Sequence, residues 1–333
     1  MRVLTGDIGG TKTLLQVADV YPNQYKILYE REYRSADYAE FTLLLKEFLH
    51  EAAGANAMIL GGACIGVAGP VKDNCAQVTN LPWVLDGAQL AKDTGISLVS
   101  LINDFQAIGY GLDNLSADEI YTLQATEPVA HGPRVVIGAG TGLGEGVVHW
   151  HNDHYRILPS EGGHTDFAPA DDLQVEFLQY LRRQQSPVCY DIVLSGRGIH
   201  NIYNFLRDTG RAEELPETQA AISAGDPAAV ISGAAQTGND TLAAQALDMF
   251  CAIYGSQAGN LALTAVASGG VYIAGGIAPK IIDKLADGTF MTAFHRKGKM
   301  AQLMTTLPVY VVMNPKVGVI GAAMYAHRHG KKS

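Results

Sequence analysis

Two stretches of the chain repeat one hydrophobic pattern. Residues 3–29 read VLTGDIGGTKTLLQVADVYPNQYKILY, and residues 135–158 read VVIGAGTGLGEGVVHWHNDHYRIL. Each runs through an apolar strand, a Gly/Thr-rich turn, a second strand, a polar turn and a third strand. The third strands are nearly one word, Tyr25-Lys26-Ile27-Leu28 and Tyr155-Arg156-Ile157-Leu158. Gly6 to Tyr25 spans 19 positions and Gly138 to Tyr155 spans 17, so order and spacing together mark an internal duplication. In the second copy a two-residue turn at Asn152-Asp153 would pair His151 with His154 and Trp150 with Tyr155. Period two then places Val148, Trp150, Tyr155 and Ile157 on an apolar face, with His149, His151, His154 and Arg156 opposite.

After each copy the pattern alternates between helix and strand. Phe41 to Ala53 has the apolar spacing of an amphipathic helix, followed by the strand Ala63 to Val67 and the loop Gly69-Pro70. Leu98 to Ile102 is a short apolar strand ending at Asn103-Asp104. In the second half Leu173 to Arg183 predicts a helix and Thr241 to Thr264 one or two more. Val271 to Ala274 and Pro308 to Met313 predict strands, and Gly318 to His327 a last helix. Such alternation means an α/β protein with covered sheets. At 333 residues, two lobes are expected, with a ligand cleft at their junction beyond the carboxyl ends of the strands.

Composition narrows the class. With 47% hydrophobic and 17% charged residues the chain can bury a large core. A formal charge of −9 argues against a nucleic-acid partner, and the terminal Lys331-Lys332 is too short for a basic arm. Cys64, Cys75, Cys189 and Cys251 form no CxxC pair, which fits free thiols in a reducing compartment. The start of the chain reaches Asp7 and a glycine pair too soon for a signal peptide's apolar region. The uncharged stretch from Ser256 to Pro279 has the length of a membrane span. Its five glycines, with Asn260, Thr264 and Ser268, instead suit a buried helix running into a buried strand. A soluble, cytoplasmic protein is expected.

The chemistry concentrates at turns. In Asp7-Ile8-Gly9-Gly10-Thr11-Lys12, glycines let backbone N–H groups approach an anion, and Asp7 at a strand end could hold a hydrated Mg²⁺. The alternative is a tight hairpin that needs glycine for positive φ. Gly138-Ala139-Gly140-Thr141-Gly142-Leu143-Gly144 is the same device. It is not a dinucleotide fingerprint, because Leu143 stands where a third glycine is required and a strand, not a helix, follows. No G-x-x-x-x-G-K-[ST] occurs. Two glycine hairpins in duplicated lobes suggest a phosphate chain held from both sides. Asp104 ends an apolar strand beside an amide; it suits either a catalytic base or the N-cap of a helix from Gln106 to Leu112. Glu161 and His164, on a loop with two glycines, are hydroxyl-binding types. His149, His151 and His154 could share a metal or form a solvated strand face.

Together these segments resemble the phosphate-1 (Asp7 to Lys12), phosphate-2 (Gly138 to Gly144) and adenosine (Ala274-Gly275-Gly276-Ile277) motifs of the actin/hexokinase ATPase superfamily. With Ile102-Asn103-Asp104-Phe105 and Glu161-Gly162-Gly163-His164, the chain is similar over its whole length to bacterial glucokinases of the hexokinase-like family. The resemblance implies a duplicated actin-like ATPase (ribonuclease H-like) fold: a small lobe of residues 1–113 plus 316–333 and a large lobe of 114–315, with the last helix packed on the small lobe. It implies ATP with Mg²⁺ as donor, the 6-hydroxyl of glucose as acceptor, and a homodimer. Asp104 becomes the catalytic base. Asn103, Asp104, Glu161 and His164 become sugar contacts. Gly9, Gly10, Thr11, Lys12, Gly140, Thr141 and Gly142 become phosphate contacts, Gly275 and Gly276 adenosine contacts, and Asp7 the magnesium ligand through water. One position departs: the family usually has Glu before its V-[LV]-S-G segment, where this chain has Asp191 before Ile192-Val193-Leu194-Ser195-Gly196. A carboxylate one methylene shorter would reach the sugar through water or not at all. The related repressor/kinase family carries a cysteine-rich zinc motif here, whereas only Cys189 is near, so no structural zinc is expected.

Three rivals follow. A kinase for mannose or an amino sugar such as N-acetylglucosamine would share the ATP site. A sugar sensor without turnover would need an output module, for which a strand starting at residue 3 leaves no room. An actin-like ATPase would lack the Asn-Asp and Glu-x-x-His pairs.

Overall fold

The computed structural model describes residues 1–21, 24–54 and 59–330. Lys331 and Lys332 and the polar turn of the first repeat at 22–23 lie outside the described residues. The chain divides into two compact units, the first of residues 1–117, 154–159 and 314 onward, the second of 118–153 and 160–313.

The first unit is built on β1 (Arg2–Ile8), β2 (Lys12–Tyr21), β3 (Gln24–Arg34), β4 (Gly62–Val67) and β5 (Val99–Asn103). Their order is β3-β2-β1-β4-β5: an antiparallel meander followed by two parallel strands. All six residues of β4 are buried, the mark of a strand covered on both faces. One face packs on α1 (Phe41–Gly54), whose buried Phe41, Leu44, Leu45 and Phe48 keep the expected helical spacing and meet Leu4, Ile8, Ile65 and Val67. The other face, with Val3 and Cys64, packs on α2 (Asp104–Gly111) and the C-terminal helix Val317–His329 through Ala107, Ala322 and Ala323. The last helix therefore returns to the first sheet, and Thr5 Oγ1 donates to the carbonyl of Val319 at 2.8 Å. Gly111 and Gly321 bring backbone against backbone where these two helices cross, leaving no room for a Cβ.

The second sheet consists of β6 (Ile120–Gln124), β7 (Arg134–Ala139), β8 (Leu143–His151), β9 (His154–Leu158), β10 (Gly270–Ala274) and β11 (Val309–Val312) in the order β9-β8-β7-β10-β11-β6; β9, at its edge, falls among the first unit's residues and the other five strands among the second's. Without β6 this is the first sheet's order again, so the duplication read from the sequence is a duplication of topology. Asn152 adopts φ 58° in the expected turn. Val148, Tyr155 and Ile157 are buried and Trp150 half-buried, while His151 and Arg156 are exposed and His149 and His154 half-buried. The predicted faces are the observed ones.

Three helices set the site of this unit: α3 (Tyr190–Val193), α4 (Gly196–Asp208) and α5 (Thr241–Ala265). The last is a single helix of 25 residues, buried on most sides, and β10 follows it. The uncharged stretch from Ser256 is the end of that helix plus the buried strand. Among the described residues no helix is long and apolar enough to cross a membrane.

Candidate functional site

In the first unit the carboxyl ends of β1, β4 and β5 lie side by side. Pairing of Asp7 with Gly66, and of Gly66 with Ile102, brings Asp7 to the same edge as Asn103 and Asp104. Gly66 has no side chain between them; a Cβ there would stand 3.8 Å from Asp7 Oδ1 and 3.3 Å from Ala107. Asp7 takes no hydrogen bond or ion pair among the described residues. It keeps some solvent contact, yet burial of its surroundings raises its carboxyl to about 6.

The turn after β1 is closed by Gly9 N–H donating to the Lys12 carbonyl at 2.9 Å. Ser35 braces it: its Oγ donates to the Gly9 carbonyl at 3.1 Å and its N–H to the Thr11 carbonyl at 3.0 Å. The N–H groups of Gly10 and Thr11 have no acceptor among the described residues. Neither Gly9 nor Gly10 has positive φ, so a strained hairpin does not explain them; an open backbone does. Lys12 points its ammonium to Glu32, 2.6 Å away, both being exposed.

The sequence offered Asp104 as a helix cap; the fold gives that role to Asn103. Asn103 Oδ1 accepts from the N–H groups of Phe105 (2.9 Å) and Gln106 (3.3 Å), and Gln106 Oε1 accepts from Asn103 N–H, completing a capping box. Asn103 Nδ2 donates to the Gly69 carbonyl at 3.1 Å. Asp104 is the first helical residue, half-buried, its Oδ1 accepting from Phe105 N–H at 3.0 Å. An acidic group there is also favoured by the helix dipole.

In the second unit the turn after β7 is tied down at three points. Gly140 N–H donates to the Gly142 carbonyl (2.8 Å), Gly196 N–H to the Gly140 carbonyl (2.9 Å), and Leu143 N–H to Asp191 Oδ1 (2.8 Å). Asp191 Oδ2 also accepts from Arg197 at 3.1 Å. The N–H groups of Thr141 and Gly142 have no acceptor among the described residues, and Cβ positions at Gly140 and Gly276 would meet open space. At Gly275 the reason is different: φ is 81° and its backbone lies on Ala139.

Glu161 precedes a short helical turn, Gly162–His164, that His164 ends, and both are exposed. Gly163 is pressed against the Leu143 carbonyl with no room for a side chain. That seats the Glu161–His164 loop directly on the glycine turn's own strand. Tyr190 N–H donates to the Thr165 carbonyl at 3.0 Å, and Cys189 Sγ lies 3.9 Å from His164 Nδ1. The unit thus gathers Gly140–Gly142, Glu161, His164 and Asp191. His149 and His151 lie with rings 6.2 Å apart on the same strand, and the described residues hold no His/Cys/Asp/Glu group suited to a metal cluster.

Three residues that sequence reasoning passed over support these turns. Tyr254, fully buried on α5, accepts from Ala139 N–H at 3.1 Å and reaches the Ile137 carbonyl at 3.3 Å, beneath both the 140–142 turn and the end of β10. Ser35 and Arg197 are the others. None has a spacing signal, since each meets its partner only through the fold; the capping box Asn103-x-x-Gln106 was legible.

Comparison with known proteins identifies the family. A family model described as Glucokinase matches residues 4–329. A glucokinase of Trichormus variabilis is 42% identical over 340 residues, covering 98% of this chain and 99% of the relative. One of Colwellia psychrerythraea is 36% identical over 325 residues, covering 98% and 96%. A solved glucokinase from an Antarctic psychrotroph has a TM-score of 0.84 at 30% identity, covering 98% of this chain and 99% of that one. A ROK family glucokinase from Streptomyces griseus, solved with glucose and AMPPNP, shares the fold at 21% identity, with a TM-score of 0.68 and coverage of 98% and 100%. The fold is the duplicated actin-like one that the family resemblance implied, and the chain belongs to the glucokinase family of ATP-dependent hexose kinases.

Proposed function

We propose that the chain transfers the γ-phosphoryl group of ATP to the 6-hydroxyl of glucose, with Asp104 as the general base. The carrying observation is the capping box at Asn103 and Gln106: it gives Asn103 the N-cap role that was the alternative reading of Asp104. Asp104 takes the hydroxyl proton as the oxygen attacks phosphorus, while Asn103, Glu161 and His164 orient the hexose. The open N–H groups at Gly10 and Thr11 in one unit, and at Thr141 and Gly142 in the other, receive phosphate oxygens. Gly275 and Gly276 border the adenosine. Asp7, a desolvated carboxylate without a partner among the described residues, suits a hard cation, so it would hold hydrated Mg²⁺, whose charge would offset that gathering on the phosphates. By the family resemblance the working form is a homodimer in the cytoplasm.

The test is a coupled assay dependent on ATP and glucose, run on wild type and Asp104→Asn. The variant is expected to lose at least ~10²-fold in kcat, the lower range for a positioned general base. Retention of most activity would remove Asp104 from the role. A hexose panel completes it: equal or better use of mannose or N-acetylglucosamine would overturn the glucose assignment.

A further inference from the structure

Asp191 holds two hydrogen-bond partners that have nothing to do with a sugar. Its Oδ1 accepts from Leu143 N–H at 2.8 Å, the first strand residue after the glycine turn. Its Oδ2 pairs with Arg197 at 3.1 Å, in the first turn of α4. Ala139 and Leu143 are cross-strand partners at the very end of the β7–β8 ladder. Yet Leu143 N–H goes to the carboxylate and Ala139 N–H to Tyr254. The carboxylate therefore takes over where the ladder stops.

Gly142 supplies an independent observation. Its φ is not positive, so the turn does not need glycine for conformation. A Cβ at 142 would stand 2.5 Å from Asp191 Oδ1. Glycine at 142 leaves room for the carboxylate against that backbone; a methyl group there would have to push it away. The loop's far side is fixed by the same segment: Gly196 N–H donates to the Gly140 carbonyl at 2.9 Å, and Ser195 caps α4 by accepting from Gly198 N–H. Both ends of the 140–142 turn thus hang on residues 191–197.

We infer that Asp191 is a positioning residue for the nucleotide: it clamps the 140–142 turn so that the N–H groups of Thr141 and Gly142 face the phosphates. The shorter side chain noted in the sequence fits this role, because its carboxylate reaches the turn backbone and Arg197. Arg197 is more than half exposed and steadies the carboxylate only weakly. This rests on the proposed phosphate role of the turn.

The experiment measures KM for ATP and for glucose separately, with thermal melts as controls, in wild type and six variants. Asp191→Ala is expected to raise the ATP KM at least about tenfold, the equivalent of one charge-assisted hydrogen bond, with the glucose KM within about twofold. Asp191→Asn keeps an oxygen acceptor for Leu143 N–H and should recover most of that loss; Arg197→Ala should cost about twofold in the same direction. Gly142→Ala should raise the ATP KM in the wild-type background and add little in Asp191→Ala, where the clash is gone. A rise in the glucose KM in either Asp191 variant, alone or beside that for ATP, would overturn the inference, as would an unchanged ATP KM in Asp191→Ala. Gly140→Val, which fills open space over the turn without touching Asp191, separates the two levels. If it too leaves the ATP KM unchanged, the phosphate reading of the turn has failed; if it alone raises the ATP KM, only the clamp has failed.

Discussion

The two glycine turns occupy equivalent places in two copies of one topology, yet they differ where it matters chemically. In the repeats Gly6 matches Gly138, so Asp7 matches Ala139. Each faces a glycine on the neighbouring parallel strand or just past its end, Gly66 in one case and Gly275 in the other. Asp7 keeps solvent contact and has no protein partner among the described residues. Ala139 is fully buried and both its backbone groups are bonded, its N–H to Tyr254 and its carbonyl to Ile277 N–H at 3.2 Å. Duplication supplied two open-backbone turns; divergence at one position gave the first a charge and the second a sealed floor. The supports diverged as well: Ser35 braces the first turn from within its own meander, whereas Asp191 and Gly196 hold the second from a distant segment.

The comparison can be broken most severely by exchanging the two side chains. Ala139→Asp would force a carboxylate into a fully buried position, next to a Tyr254 hydroxyl and an Ile277 N–H that are already bonded. The cost of a buried, uncompensated charge is about 3–5 kcal/mol, and the variant is expected to lose most of its folding cooperativity near neutral pH. Chemical denaturation followed at pH 5 and pH 8 checks this. A variant as stable as wild type at both would show the floor to be less sealed than described.

The reverse exchange acts through charge. Asp7→Asn removes the group assigned to the metal, and kcat is expected to fall at least about 10²-fold. Stability should move the other way. Because burial raises the folded-state carboxyl to about 6 from an ordinary 3.8, the protonated form is favoured by folding. The stabilisation it brings is fully present below about pH 4 and is lost as pH rises through about 6. Without magnesium and nucleotide, Asp7→Asn should match wild type near pH 4 and exceed it above pH 6, by at most about 3 kcal/mol, the free-energy equivalent of that difference. Urea midpoints at the two pH values decide it; an advantage at low pH alone would contradict the assigned cause.

How much of this was legible depends on the reach of the interaction. The sheets were readable because period-two burial and the repeated Tyr-Lys/Arg-Ile-Leu strand are local in sequence. The helix Phe41–Gly54 was readable from its apolar spacing for the same reason. The cap at Asn103 was assigned one residue late because Asp and Asn are both good caps, and only the Gln106 side chain folding back chooses between them. The supports of the turns were not legible. Tyr254 lies 115 positions from Ala139, Asp191 lies 48 from Leu143, and Ser35 lies 26 from Gly9, so no periodicity links them. Gly140 and Gly142 look alike in sequence, yet one faces open space and the other a carboxylate.

The smallest effect tests the sealed floor itself. Tyr254→Phe keeps the ring, which packs edge-on against Phe290 at 5.7 Å, and deletes only the hydroxyl. Ala139 N–H then has no acceptor, because the β7–β8 ladder ends at that pair and Leu143 turns to Asp191. A buried donor left unsatisfied costs about 1–3 kcal/mol, more than the same deletion would cost where water can enter. The equivalent deletion in the other unit is Ser35→Ala made and compared in a Thr13→Val background, so that the buried Thr13–Ser35 hydroxyl pair (3.0 Å) is already gone; it frees the Gly9 carbonyl at a half-buried turn, where solvent can replace the lost donor. Tyr254→Phe should therefore lower the unfolding free energy more than Ser35→Ala does in that background, as measured by urea denaturation of both variants and their parents under identical conditions. Equal losses would mean that the two turns are equally wet, and the contrast between an open charged turn and a sealed one would have to be given up.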